Sequence, residues 1–179
     1  LEENQRLLLR ARMDALASQI NPHFLFNTLN TVSSLVRFDP DKAREVVLKL
    51  SSILRRLLRQ HETFVPLREE LSFIDDYLDI EVARFGPDKL QFFHEVEDET
   101  LDAFVPSMLL QPIVENAVKH GLTPKLEGGE IRLRTRRSEG RLVIEVEDNG
   151  TGMPEHRHPD VSGGGIGLRN VRERLQLIY

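Results

Sequence analysis

The chain has 179 residues, 40% of them hydrophobic and 30% charged, so it can bury a real core as one domain or two small ones. Its formal charge of -5 argues against a nucleic-acid partner along the whole surface, and any anionic ligand must be held by a local site. The absence of cysteine excludes disulfides, thiolate nucleophiles and zinc-thiolate centres, and no apolar run approaches the roughly 18 residues of a membrane helix.

In chain order, "LEENQRLLLRARMDALASQI" reads as a helix already under way, with Leu9, Met13, Leu16 and Ile20 at the spacing of a stripe that packs on a partner helix. "SQINPHFLFNTLN" continues it through a proline. Gln19, His23, Asn27, Asn30 and Ser34 form a polar stripe beside the apolar one of Ile20, Phe24, Leu29, Val32 and Val36. Pro22 lacks an N–H and crowds the preceding turn, so the helix should bend there. After "RFDPDK", Asp39 suits the N-cap and Pro40 the first turn of a second helix. Ala43, Val46, Val47, Leu50, Ile53, Leu54, Leu57 and Leu58 make its apolar face, with Arg55, Arg56 and Arg59 on the solvated one. Two helices alone bury little, so the hairpin is expected to pair with a second copy as a four-helix bundle.

Composition changes near "RQHETFVP", which divides the chain into a helical segment, 1–62, and a second domain, 63–179. "PLREELSFIDDYLDIEVARFG" opens on proline, carries acids in its first turn and closes on Gly86, the marks of a capped helix. "LQFFHEVE" alternates as a strand, with His94 on its apolar side and so expected in the core. "SMLLQPIVENAVKHG" reads as a helix, and "EIRLRTRRSEGRLVIEVEDNG" as a hairpin that turns Ile131, Leu133 and Thr135, and likewise Leu142, Ile144 and Val146, to one face. "TGMPEHRHPDVSGGGIG" is loop, and a last helix starts near Leu168. Helices on one face of a largely antiparallel sheet give the α+β class: a helical hairpin followed by an α/β sandwich.

Three features bear on chemistry. Glu115, Asn116, Lys119 and His120 share one side of their helix, a set that suits Mg²⁺ carried by phosphates. "EDNGTG" ends a strand: Asp148 can accept from an exocyclic amine, while Gly150 and Gly152 admit a flat base. "SGGGIGLRN" places glycines directly before a helix N-terminus, where backbone N–H groups meet phosphates. Their bland equivalents are a solvated helix face, a turn and a linker.

In this order the three elements resemble the ATP-binding domain shared by sensor histidine kinases, gyrase-type topoisomerases, mismatch-repair ATPases and a heat-shock chaperone, the GHKL or Bergerat fold. The resemblance implies that Asn116 holds Mg²⁺, Lys119 and His120 the phosphates of ATP, and Asp148 the adenine amino group. Gly150 and Gly152 would border the base, and Gly163, Gly165, Gly167 and Leu168 would belong to the lid. Glu115 stands where hydrolytic members keep a water-activating carboxylate.

"NPHFLFN" resembles the histidine motif of the LytS/YehU class of bacterial sensor kinases, and "LQPIVENAVKHGL" the asparagine box that accompanies it. The likeness runs from about Ala15 to Tyr179 and makes His23 the autophosphorylated residue. A free imidazole titrates near 6.5, so roughly three quarters of such rings are neutral nucleophiles at pH 7. The pattern departs from many histidine kinases in two places: Phe24 stands where an acid often follows the histidine, and Pro112 where a second asparagine is common. That leaves Glu115 as a candidate base and Asn27 as an orienting group. The implied protein is a homodimer that passes the phosphoryl group to a response-regulator receiver domain. This segment would be the cytoplasmic portion of a membrane-anchored sensor, with further sheet strands after Tyr179. The competing expectations are an ATPase in which Glu115 activates water, and a degenerate kinase serving as a nucleotide-binding scaffold.

Overall fold

A computed structural model describes residues 21–58, 63–121, 128–150, 171–173 and 175–176. The stripe of Leu9, Met13, Leu16 and Ile20 and the loop with Gly152, Gly163, Gly165, Gly167 and Leu168 lie outside the described residues.

Helix α1 (Pro22–Phe38) begins where the sequence suggests a bend. Asn21 has extended backbone, ψ 108°, and its Oδ1 accepts the His23 N–H at 3.1 Å. Pro22 therefore sits in a first helical turn, where a missing N–H is harmless; the expected bend involves residues before Asn21, which lie outside the described residues. Asp39 ends α1 and its Oδ1 accepts from the Lys42 N–H at 3.0 Å, capping α2 (Pro40–Leu58). Ala43, Val46, Leu50, Ile53 and Leu57 are buried along α2. From α1 the inward set is Phe24, Leu25, Val32 and Leu35 with buried Thr28, whose hydroxyl donates to the Phe24 carbonyl. Leu29 and Val36, expected in the stripe, are 50% and 56% exposed, because α1 turns the other register toward its neighbours.

Helix α3 (Leu67–Phe85) packs against α1 and α2 and also against the second domain's elements. Lys49 reaches it with a 2.7 Å bond to Asp79, and Arg56, read from sequence as solvated, donates to the Glu69 carbonyl and Ser72 hydroxyl. Gly86, at φ 94°, closes the helix as only glycine does easily.

The main sheet has the order β2 (Leu90–Val96), β4 (Gly129–Ser138), β5 (Arg141–Asp148). β4 and β5 are an antiparallel hairpin whose two-residue loop, Glu139 and Gly140, has φ of 51° and 75°, the twist-matched geometry. β2 pairs β4 in parallel, so the sheet is mixed and not largely antiparallel. The chain between them carries a 3-10 turn (Asp98–Thr100), strand β3 (Phe104–Pro106) and helix α4 (Gln111–Gly121), long enough for the crossover a parallel pair needs. β3 forms a separate antiparallel ribbon with β1 (Phe64–Pro66), each made of the same tripeptide, Phe-Val-Pro.

Ile131, Leu133 and Thr135 are buried on the sheet's inner face as expected, and Leu142, Ile144 and Val146 are half-buried there. His94 shares that face, but β2 is an edge strand and the ring is exposed, with Nδ1 3.4 Å from Asp75; it is not a core residue. The outer face carries a charge ladder. Arg132 pairs with Glu130 and Glu95, Arg134 with Glu95 and Glu147, and Arg136 with Glu145.

Glu70, buried in α3, fixes how α4 begins: its carboxylate accepts the N–H of Met108 at 2.7 Å and of Leu110 at 3.1 Å. Met108 is held at φ 60°, unusual for a side chain of its size. Glu70→Ala leaves two backbone donors without this partner and should cost on the order of 2 kcal/mol, read as a lower urea midpoint with unchanged slope.

Candidate functional site

Helix α4 starts with the Leu110 carbonyl accepting from the Ile113 and Val114 N–H groups. Val114, Ala117 and Val118 are buried, and the helix packs on β4 and β5. That packing leaves Asn116 half-buried and Lys119 exposed. Asn116 carries an amide oxygen of the kind a hard cation takes. The donor set fits Mg²⁺, which takes few protein oxygens and leaves the rest to water and phosphate. His120 lies in the last turn; its side chain is outside what is described.

At the end of β5, Asp148 stands in register with Ile131 on the inner face, and its Oδ1 accepts the Gly150 N–H at 2.9 Å. This Asx turn joins the two residues the sequence paired. Asn149 locks the turn to β4, its Oδ1 accepting from the Glu130 N–H at 2.9 Å.

The His23 ring is exposed in the first turn of α1, with the Asn27 amide nitrogen 3.1 Å from Nδ1 and 3.3 Å from Nε2. Its neighbour Phe24 turns the other way, ring centroid 5.0 Å from that of Tyr77 on α3. Phe24 and Asn21 line a crevice of about 10 Å³, shared with Tyr77, Gln111 and Glu115. The α1–α2 hairpin thus packs on α3, with the start of α4 lining the same crevice.

Glu115 does not share its neighbours' open side. It points into this crevice and accepts a 2.7 Å bond from Gln111 Nε2, while the Gln111 Oε1 is buried without a partner among the described residues. Burial pushes the Glu115 carboxyl up, opposed by the Gln111 bond. Burial also pushes up the Tyr77 hydroxyl, with Glu81 and Glu115 adding to it. Glu81, 3% exposed, is raised to about 7, chiefly by burial and further by Glu115, against the pull of Arg84 at 3.5 Å. Tyr77, Glu81, Gln111 and Glu70 escape a motif-based reading. One signal for them exists: Glu70, Ile74, Tyr77 and Glu81 recur at helical spacing, placing acids in a buried register.

Residues 11–90 match the family described as histidine kinase, and residues 103–178 the family described as histidine kinase-, DNA gyrase B-, and HSP90-like ATPase. With the hairpin and sandwich in the same order, the chain belongs to the histidine kinase family. Its similarity is to LytS-type sensor proteins within that family. The sensor histidine kinase YpdA of Escherichia coli (strain K12) is 38% identical over 99% of this chain and 32% of its own length. The sensor protein LytS of Oceanobacillus iheyensis is 38% identical over 97% of this chain and 32% of its own length. The sensor histidine kinase BtsS of Escherichia coli (strain K12) is 37% identical over 98% and 30%. The chain thus spans about a third of the length of these curated relatives. The histidine kinase domain from Erythrobacter litoralis EL346 blue-light activated histidine kinase has the same fold, with a TM-score of 0.51 at 19% identity over 97% of this chain and 84% of that one.

Glu81 gives the folded chain a pH dependence of definite sign. Its folded pKa, about 7, lies above the ordinary 4.5, so between those values the folded state binds the extra proton and stability falls as pH rises. Glu81→Gln should remove that slope, gaining up to about 3 kcal/mol over the parent at pH 8 and little at pH 4.5, read from urea midpoints across the range.

Proposed function

We propose that this chain is the catalytic portion of a sensor histidine kinase that transfers the γ-phosphoryl group of ATP to His23 and from there to a receiver-domain aspartate. The observation that carries the reading is the seating of the His23 turn on α3, in a crevice that the start of the Asn116 helix also lines, with Asp148 at the end of a strand on which that helix packs. Residues 1–62 act as the dimerisation and phosphoacceptor segment and 63–179 as the ATP-binding domain.

Asn116 holds Mg²⁺, Lys119 and His120 meet the phosphates, and Asp148 takes the adenine amino group, its turn shaped by Gly150. Gly152, Gly163, Gly165, Gly167 and Leu168 complete the base pocket and lid. Bound Mg²⁺ supplies charge neutralisation on the phosphates. A neutral ring nitrogen of His23 attacks the γ-phosphorus, the bond from phosphorus to the bridging oxygen breaks, and ADP leaves. Asn27, with its amide at the ring nitrogens, fixes the ring's orientation. Glu115 can take up the imidazole proton only in an arrangement that turns the His23 ring to its crevice, because here Phe24 and not His23 faces it. It lines the same crevice as Asn21 and Phe24, and a raised affinity for protons suits that role.

Phe26, Leu29, Val36 and Val47 are exposed on the hairpin, apolar surface that a second copy covers in a homodimer. The described residues include no helix long and apolar enough to cross a membrane, and the reading puts an anchored sensor region in additional length such as the relatives have.

With γ-labelled ATP the wild-type chain should gain an acid-labile, base-stable label that His23→Gln abolishes; label retained in that variant would remove His23 from the mechanism. Asn116→Asp and Asp148→Asn should each abolish binding of a fluorescent ATP analogue, and unchanged binding would refute the site. Leu29→Glu should shift the chain from dimer to monomer in sedimentation, with its nucleotide affinity retained.

A further inference from the structure

We infer that Tyr77 is a positioning residue for phosphoryl transfer, acting through Phe24 to set where His23 stands. The inference rests on the reading of His23 as the acceptor. His23 itself is exposed, and among the described residues the one side chain bonded to its ring is Asn27 of the same helix, so none of those contacts ties it to the second domain. Phe26 is 68% exposed and ties nothing either. The first turn of α1 is instead seated by the intervening Phe24, whose ring lies against Tyr77 at a centroid distance of 5.0 Å and an interplanar angle of 33°.

Tyr77 is only 7% exposed and belongs to α3, which packs on α1 and on α4 as well. Gln111, in the first turn of α4, and Asn21, the cap of α1, line the same crevice as the two rings. The starts of the acceptor helix and of the Asn116 helix are thus held by one wall. Phosphoryl transfer depends on placing the nucleophile, and a 1 Å displacement can cost about 100-fold in rate. The same geometry accounts for an aromatic residue after the histidine. A carboxylate there would be pressed into a mostly apolar crevice already holding Glu115, at a large desolvation cost.

The test compares Tyr77→Ala, Tyr77→Phe and Phe24→Ala with the wild-type chain by initial labelling rate at saturating ATP, KM for ATP, and hydrogen exchange of residues 23–28 without nucleotide. Tyr77→Ala and Phe24→Ala should lower the saturating rate roughly 10- to 100-fold with KM unchanged, and residues 23–28 should exchange faster. Tyr77→Phe keeps the ring and should restore both. Phe24 is only half-buried, so Phe24→Ala remains informative if Tyr77→Ala does not fold. A rate that is unaffected or increased, a rise in KM that accounts for the loss, or unchanged exchange in Phe24→Ala would overturn the inference. A wild-type chain that takes no label would instead defeat the reading of His23, and the exchange comparison would still decide whether Tyr77 seats the turn.

Discussion

Helix α3 has to bury surface on opposite sides at once. Nine of its nineteen residues are buried, with the hairpin against one flank and the ribbon, sheet edge and α4 against others. Fully burying a large apolar side chain is worth roughly 1.5–3 kcal/mol, so Leu67, Ile74, Leu78 and Ile80 together outweigh any surface ion pair in the molecule. A helix so enclosed has little room for its charged residues. Glu70 and Glu81 both end up inside, and their surroundings differ. Glu70 receives two backbone donors that would otherwise need another partner. Glu81 is penalised in its charged form chiefly by its own burial and further by the half-buried Glu115 carboxyl, with a single guanidinium at 3.5 Å in opposition.

That one helix also explains why the candidate site is assembled from pieces that never touch in sequence. The α4 helix takes its start from Glu70 and its tilt from apolar packing on β4 and β5. Asp148 takes its place from strand register, and the His23 turn from the crevice wall. Each placement is made by different physics: buried charge, apolar area, ladder hydrogen bonds and ring contact. A substitution that disturbs one of them need not disturb the others, which is what makes their contributions separable.

Much of the fold was legible. Asp39–Pro40, the acids and Gly86 around α3, and the alternation through β4 and β5 are local signals, read by residues that satisfy their own backbone. What was not legible depends on distant partners. β1 and β3 are three residues each, too short for a period, and exist because two Phe-Val-Pro segments meet. The parallel pairing of β2 is invisible to alternation, which looks the same beside either kind of neighbour. His94 occupies the apolar face, but nothing in "LQFFHEVE" says that β2 is an edge. Pro22 is equally at home bending a helix or opening one, and only the structure shows the Asn21 side chain capping the His23 N–H where α1 starts. In the site, the motif residues were readable by type and spacing. Their surroundings were not, since Glu115 falls on the polar side of a helical wheel and only the docked hairpin shows it facing Tyr77.

The charge ladder on the outer face of the sheet bears on how a polyanion would choose a side of this domain. Arg132, Arg134 and Arg136 would by themselves make a strip of positive potential along β4, about 7 Å between successive guanidinium-bearing positions. Each is instead engaged by Glu130, Glu95, Glu147 or Glu145 on the same face. The strip is cancelled at short range, and at physiological ionic strength its residual field fades within about 8 Å. A passing triphosphate is therefore not captured on the back of the sheet. With the outer face so paired, a polyanion would meet little net charge there, in line with the binding proposed for the inner side.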